Sequence, residues 1–266
     1  MTKRLFRDQL GRTIILHKKP ERIISLVPSQ TELLCDLGLE DKLVGITKFC
    51  VHPTHLKGTK AIVGGTKTIK KDRIEALEPD IILCNKEENS KEIVEELEKI
   101  AVLHVSDIYT IDDCLELIEM YNDIFDCNDK AKYISGSISD NLKDFQSYMA
   151  KRKPYTAGYF IWRSPWMVAG NNTFINYLMG LNKFENLYEN ETGRYPEIEV
   201  SQLKQQAPEL ILLSSEPFPF KEKHIEELSE YATESKITLA DGEFFSWYGS
   251  RLIKAFDYFK QLQEKL

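Results

Sequence analysis

No stretch of the 266 residues approaches the roughly 20 consecutive apolar positions of a membrane-spanning helix. The charged opening, MTKRLFRDQLGRTIILHKKPERI, also lacks an apolar core of the length a secretory signal needs. As it stands the chain is expected to be cytoplasmic. Cysteine is sparse: Cys35, Cys50, Cys84, Cys114 and Cys127 are odd in number, scattered and never in a C-x-x-C pair. That pattern favours free thiols in a reducing compartment over a disulfide framework. A basic surplus is missing too. The formal net charge of -7 argues against a dedicated binder of nucleic acid or anionic membrane, so no nucleic-acid partner is expected. Catalytic signatures are absent as well. Gly64-Gly65-Thr66-Lys67 has no upstream glycine to complete a phosphate loop, and the sequence holds no GxGxxG, HExxH or GxSxG. With no nucleophile, base and orienter to name, catalysis is not expected.

What is present is an ordinary globular chain, 42% hydrophobic and 29% charged, long enough for one large domain or two lobes with separate cores. The stretch RIISLVPSQTELLCDLGL reads as a buried strand, a polar turn and a helix. Ile23, Ile24, Leu26 and Val27 make a β-branched apolar run, the pattern of a parallel strand covered on both faces. Ser29 stands three residues before Glu32, the spacing of a capping box, which predicts a helix over 30–37 closed by Gly38 in the left-handed region. Further strands are predicted at 43–46, 79–83 and 102–105, and helices at 73–77, 91–100 and 111–125. A helical stretch over 129–151, with Ile134, Ile138, Leu142, Phe145 and Met149 three and four apart, predicts one stiff connector.

The second half echoes the first. IEALEPDIILCNKEE and VSQLKQQAPELILLSSEP each set a short helix, a proline, an acid, an aliphatic strand and a charged turn in succession, so Asp80 corresponds to Glu209. This favours two similar α/β lobes. Aromatic residues gather after predicted strands: Tyr159, Phe160, Trp162 and Trp166 around Arg163, and Phe244, Phe245, Trp247 and Tyr248 before Arg251, with Tyr195 between. Such rings, with Arg163, Glu216, Glu243 and Lys86 for orientation, suit a large flat ligand with polar edges, the alternative being a plain core. Cys50, His52 and His55 offer three donors in six residues, short of a structural zinc set. Cys50 and His52 are the candidates for contact with a ligand's metal.

In order along residues 5–262, RIISLVPSQTELLCDLGLEDKLVGIT, RIEALEPDIILCN, SQLKQQAPELILLSS and ITLADGEFFSWYGSRLIKAF resemble the substrate-binding proteins of vitamin B12 and iron-siderophore ABC importers, particularly the cobalamin-binding type of the helical-backbone metal receptors. The resemblance implies an α/β fold of two Rossmann-like lobes joined by a single long backbone helix, like a class III periplasmic binding protein, divided as 1–128, 129–153 and 154–266. It implies a monomer that binds a corrinoid or related metal chelate in the cleft between its lobes, with no cofactor of its own. Ferric siderophore or haem is the alternative ligand, and an enzyme of cofactor salvage or metal insertion the alternative class. By position, the family's aromatics fall on Phe49, Trp162, Tyr195, Phe244 and Phe245, while Thr66 and Asn85 occupy aromatic positions of the first lobe and Trp247 a charged one. With Arg163, Trp166, Glu216 and Trp247 these form the expected ligand-binding set. The resemblance further implies one surface acid per lobe for docking on an ABC permease. Asp72 stands at the first, and Glu199 lies beside the second, which falls on Ser201. It also implies a periplasmic or cell-surface location.

Overall fold

The computed structural model describes residues 3–266. The chain forms two compact units: one runs to Ile138 and takes in Tyr248–Ile253, the other comprises Ser139–Trp247 and Lys254–Leu266.

The first unit opens with a hairpin of β1 (Arg4–Arg7) and β2 (Thr13–Leu16) that turns at Gly11 with φ of 74°. Its main sheet is wholly parallel. The strands are β3 (Ile23–Ser25), β4 (Leu43–Ile46), β5 (Ala61–Ile62), β6 (Ile81–Asn85) and β7 (Val102–Ser106), in the order β5-β4-β3-β6-β7. Helices α1 (Pro28–Asp36), α2 (Leu56–Thr59), α3 (Lys71–Ala76), α4 (Lys91–Leu97) and α5 (Ile111–Phe125) connect and cover it. All of β6 is buried, as an interior strand of a parallel sheet covered on both faces requires. On one face Ile24, Ile82, Cys84, Leu103 and Val105 pack against Ile74, Ile93 and Leu97 of the helices.

Helix α1 departs from the expected start. It begins at Pro28, where the missing N–H costs nothing in a first turn, and Val27 caps it without a side-chain hydrogen bond. The Ser29–Glu32 capping box does not form, because Glu32 is engaged by Arg251, with Nε–Oε2 at 2.8 Å and Nη2–Oε1 at 2.9 Å. Gly38 does close the helix, with φ of 79° and its N–H donated to the Cys35 carbonyl.

Helix α6 (Asn128–Met149) is continuous over 22 residues and carries the chain from the first unit into the second. There, β8 (Tyr155–Trp162), β9 (Met167–Val168), β10 (Phe184–Asn186), β11 (Leu210–Ser214) and β12 (Lys236–Ala240) form a sheet in the order β10-β8-β11-β12, parallel except for β9, which pairs antiparallel with β8. The helices are α7 (Phe174–Leu181), α8 (Leu203–Gln206), α9 (Glu222–Ser229), α10 (Gly242–Ser246) and α11 (Leu252–Lys265), the last starting in the first unit. Strand β11 is buried throughout, and Phe160, Ile211 and Leu213 pack with Leu228 and Ala232.

The echo between the halves has a structural counterpart. Glu78 and Ala207 both sit at φ of 44°, each just before a proline. One residue beyond that proline, Asp80 and Glu209 each accept N–H groups near the start of the neighbouring strand: Asp80 Oδ2 from Glu21 and Arg22, just before β3, at 2.9 and 3.0 Å, and Glu209 Oε2 from Thr156, the second residue of β8, at 2.8 Å.

Candidate functional site

Open parallel sheets bind ligands at the carboxyl ends of their strands, where the last carbonyls and the following loops leave a crevice. Each unit has such an edge.

In the first unit, β4 passes into Thr47, Lys48 and Phe49. Phe49 is 49% exposed, and the Lys48 ammonium lies 4.9 Å from its ring centroid. The ring rests over Gly65, where an added Cβ would come within 3.0 Å of Phe49 Cε2, so glycine is what lets the ring lie flat on the loop. The next residue turns inward. Cys50 is fully buried, and its thiol sits 3.1 Å from Thr31 Oγ1 and 3.2 Å from Thr47 Oγ1. Burial raises its pKa and favours the neutral thiol over the thiolate a metal prefers. His52 is half-buried. Among the described residues no group of three or more His, Cys, Asp or Glu side chains could hold a metal ion.

Asn85, Asn89 and Thr66 build the rest of this edge. Asn85 Oδ1 accepts the N–H groups of Glu87 and Glu88 at 2.9 and 3.1 Å, and Asn89 Nδ2 donates to the Thr66 carbonyl at 2.9 Å. Beside them Lys86 Nζ reaches Asp107 Oδ2 at 2.6 Å. Beneath lies a buried polar network that sequence reasoning missed. Gln30 Nε2 donates to Ser106 Oγ at 2.6 Å and to the Tyr248 hydroxyl at 2.9 Å, while Gln30 Oε1 accepts from the Tyr121 hydroxyl at 2.7 Å. A glutamine two positions after a helix-starting proline, beneath strand ends rich in Ser and Asn, was the available signal.

In the second unit, Trp162 ends β8 and is 39% exposed, edge-on to Phe218 with centroids 5.8 Å apart. Phe218 meets Phe220 at 4.8 Å, and Phe220 stacks on Trp166 at 5.9 Å. Arg163 sits 5.7 Å from the Trp166 ring centroid, but its guanidinium is held by Glu227, with Nε–Oε2 at 2.9 Å and Nη2–Oε1 at 2.7 Å. That bond raises the Arg163 pKa and lowers that of Glu227. Phe218 and Glu227 were not anticipated. The sequence EPFPF, with aromatics between prolines just past a buried strand, was the signal for Phe218.

The later aromatic cluster divides. Phe245 is fully buried against Tyr159 and Phe259, with centroids at 5.0 and 4.8 Å, and belongs to the core. Trp247 is nearly buried and donates its indole N–H to Glu216 Oε1 at 2.8 Å, an oxygen that also accepts from Ser246 Oγ at 2.6 Å. Phe244 stacks on Tyr258 at 4.8 Å. Tyr195 is half-buried in the loop whose flanking carbonyls, Arg194 and Pro196, accept the N–H groups of Gly170 and Val168. Asp72, in the first turn of α3, and Glu199, just before the short 3-10 turn Val200–Gln202, are both exposed.

Two α/β units, each built on a mainly parallel sheet and linked by one long helix, define the class of fold, and each exposes an aromatic ring at its strand carboxyl ends. The family model described as periplasmic binding protein matches residues 23–237, and the chain belongs to that family. An uncharacterized ABC transporter substrate-binding lipoprotein, YvrC of Bacillus subtilis, is 29% identical over 195 residues, 70% of this chain and 61% of that protein. A vitamin B12-binding protein of Vibrio parahaemolyticus is 24% identical over 195 residues, covering 73% of this chain and 70% of the relative. Among solved structures, the periplasmic vitamin B12 binding protein BtuF of Vibrio cholerae shares the fold with a TM-score of 0.80 at 19% identity, covering 93% of this chain and 99% of that one.

Proposed function

We propose that this protein binds a corrinoid or closely related metal chelate, without catalysing a reaction on it, as the receptor of an ABC-type importer working in the periplasm or at the cell surface. The observation that carries the reading is the pair of exposed rings, Phe49 after β4 and Trp162 at the end of β8, each at the carboxyl edge of a parallel sheet. Large aromatics left in water at such edges offer stacking area to a flat ligand, and a chelate macrocycle supplies the matching face. Relatives named for ABC transport and for vitamin B12 binding support the same class. Trp166, Phe218 and Tyr195 extend the apolar lining, Phe244 stands beside it, and Glu216 with Trp247 forms a polar rim. Phe245 and Arg163 serve this reading indirectly, by core packing and through the Glu227 pair. His52 is the remaining candidate for metal contact, since the Cys50 thiol is enclosed. Asp72 and Glu199 are the acids proposed to meet the permease.

Titration with cyanocobalamin, haemin and a ferric catecholate, each read by tryptophan fluorescence, tests the proposal. Cyanocobalamin is expected to quench saturably. Trp162→Ala and Phe49→Ala should each weaken that binding by about tenfold or more, as loss of an aromatic anchor commonly does. Saturable quenching by haemin or the catecholate alone moves the ligand within the same receptor class. No saturable quenching by any of the three defeats the reading.

A further inference from the structure

Away from the strand ends, the two sheets treat their last interior-paired strands differently. The outer edge of β7 is blocked: the Val105 N–H donates to Asp8 Oδ2 at 3.1 Å and the Asp107 N–H to Gln9 Oε1 at 3.1 Å, both from the hairpin turn. Capping edge amides in this way prevents another chain from pairing there.

Strand β12 is the corresponding edge of the second unit. Lys236 N–H donates to the Glu209 carbonyl, and the Ala240 carbonyl accepts from Ser215, so the even-numbered residues face β11. By the alternation of a parallel ladder, the N–H and C=O groups of Ile237 and Leu239 point outward. Among the described residues these outward groups have no hydrogen-bond partner. Beyond it the Asp241 N–H meets the Tyr258 hydroxyl at 2.7 Å, and at the other end the Lys236 side chain reaches the Lys265 carbonyl through Nζ.

Along this edge lies a cavity of about 310 Å³ walled by Thr238, Leu239 and Ala240 of β12, by Ser215 and Asp241 at the strand ends, and by Tyr258, Gln261, Leu262 and Lys265 of α11. The side chains of Ile237 and Leu239 pack into the core on the opposite face. An added strand would therefore send alternate side chains into the cavity while its backbone met the free groups. A second copy of β12 fills it poorly, because at that parity it offers only Lys236, Thr238 and Ala240. The exposed Lys265 ammonium complements an acid on the incoming chain.

We propose that the outer edge of β12 is a docking site for an extended peptide of a partner protein, pairing with Ile237 and Leu239 and seating a bulky side chain, flanked by an acidic residue, in the cavity beside α11. This site runs along the side of β12, away from Phe49 and Trp162, the two rings that carry the proposed function. Selection of a random phage-displayed peptide library on the intact chain tests it, with the enriched peptides then synthesised. They should carry a bulky residue next to an acid and should slow hydrogen exchange at the Ile237 and Leu239 amides. Leu239→Pro removes one outward donor and leaves the β11 pairing intact, and Thr238→Trp fills the cavity without touching the backbone. Each should weaken peptide binding by about tenfold, the scale of one backbone hydrogen bond, while cyanocobalamin quenching stays as in the parent. Failure of any sequence to enrich, equal binding to Thr238→Trp, or Ile237 and Leu239 amides already protected in the free protein overturns the proposal.

Discussion

His104 shows how one residue ties the fold to pH. It is fully buried in β7, and neither ring nitrogen has a hydrogen-bond partner among the described residues. Its ring lies edge-on to Tyr121 with centroids 5.3 Å apart. Burial pushes its pKa down to about 4, with the Asp8 charge opposing and Arg12 assisting. Asp8 cannot rescue the imidazolium, because its oxygens already accept from Leu10, Arg12 and Val105. The unfolded chain takes up the proton near 6.5, so the folded state is fully favoured above that pH. Stability should fall as pH drops from about 6.5 and level off near 4, a loss of roughly 3 kcal/mol at most. Urea denaturation across this window should show the slope in the parent and not in His104→Phe, which keeps the ring contact and removes the titration. Equal slopes in the two proteins would rule His104 out as the cause.

Among the elements, the acids that precede the buried strands offer a test of the internal echo. Burial works to raise the Asp80 pKa, but the bond from Lys18 and the N–H groups of Glu21 and Arg22 prevail and hold it below 3.8. A depressed carboxyl stabilises the fold above its unfolded pKa and loses that contribution as pH falls through the folded value. Asp80→Ala should therefore cost about 1 to 3 kcal/mol at neutral pH by leaving the strand-start amides without their acceptor, and less in acid. Denaturant midpoints that match the parent at neutral pH would refute this. The Asp80–Glu209 correspondence was legible in the sequence because a proline, an acid and a short aliphatic run are all local signals. Strands β4 and β6 and helix α5 were legible for the same reason, since buried parallel strands are continuously apolar and α5 carries its own Thr110–Asp113 capping box. What could not be read depends on distant partners. Glu32 matched a local box but pairs with a residue 219 positions away. Phe244 and Phe245 are adjacent in sequence, yet only the packing of Tyr159 and Phe259 decides that Phe245 is core. Likewise Cys50 follows an exposed ring but is enclosed by two threonines, one of them on α1.

For the whole molecule, the decisive fact is that the chain's late segment Tyr248–Ile253 belongs to the first unit. Contacts from Tyr248, Gly249 and Arg251 fix it there. Tyr248 joins Gln30, the Gly249 N–H lies 3.1 Å from Cys114 Sγ, and Arg251 makes its two bonds to Glu32. Gly249 is required, with φ of 99° and an added Cβ only 3.3 Å from that of Leu33. The ion pair is largely buried, with side chains 11% and 16% exposed, and burial raises the Glu32 pKa despite Arg251. Desolvation thus outweighs attraction, so the pair holds the segment in register without adding net stability. Removing one partner differs from removing both. Arg251→Met leaves a buried carboxylate unmatched and should cost about 3 kcal/mol at neutral pH. Because the folded pKa lies above the unfolded one, that penalty is present at high pH and fades as pH falls toward the unfolded value of 4.5. Glu32→Leu combined with Arg251→Met should recover the parent's stability or exceed it. Guanidinium denaturation of the parent, both single variants and the double variant gives the comparison. A double variant no more stable than Arg251→Met alone would mean that the ion pair does add net stability.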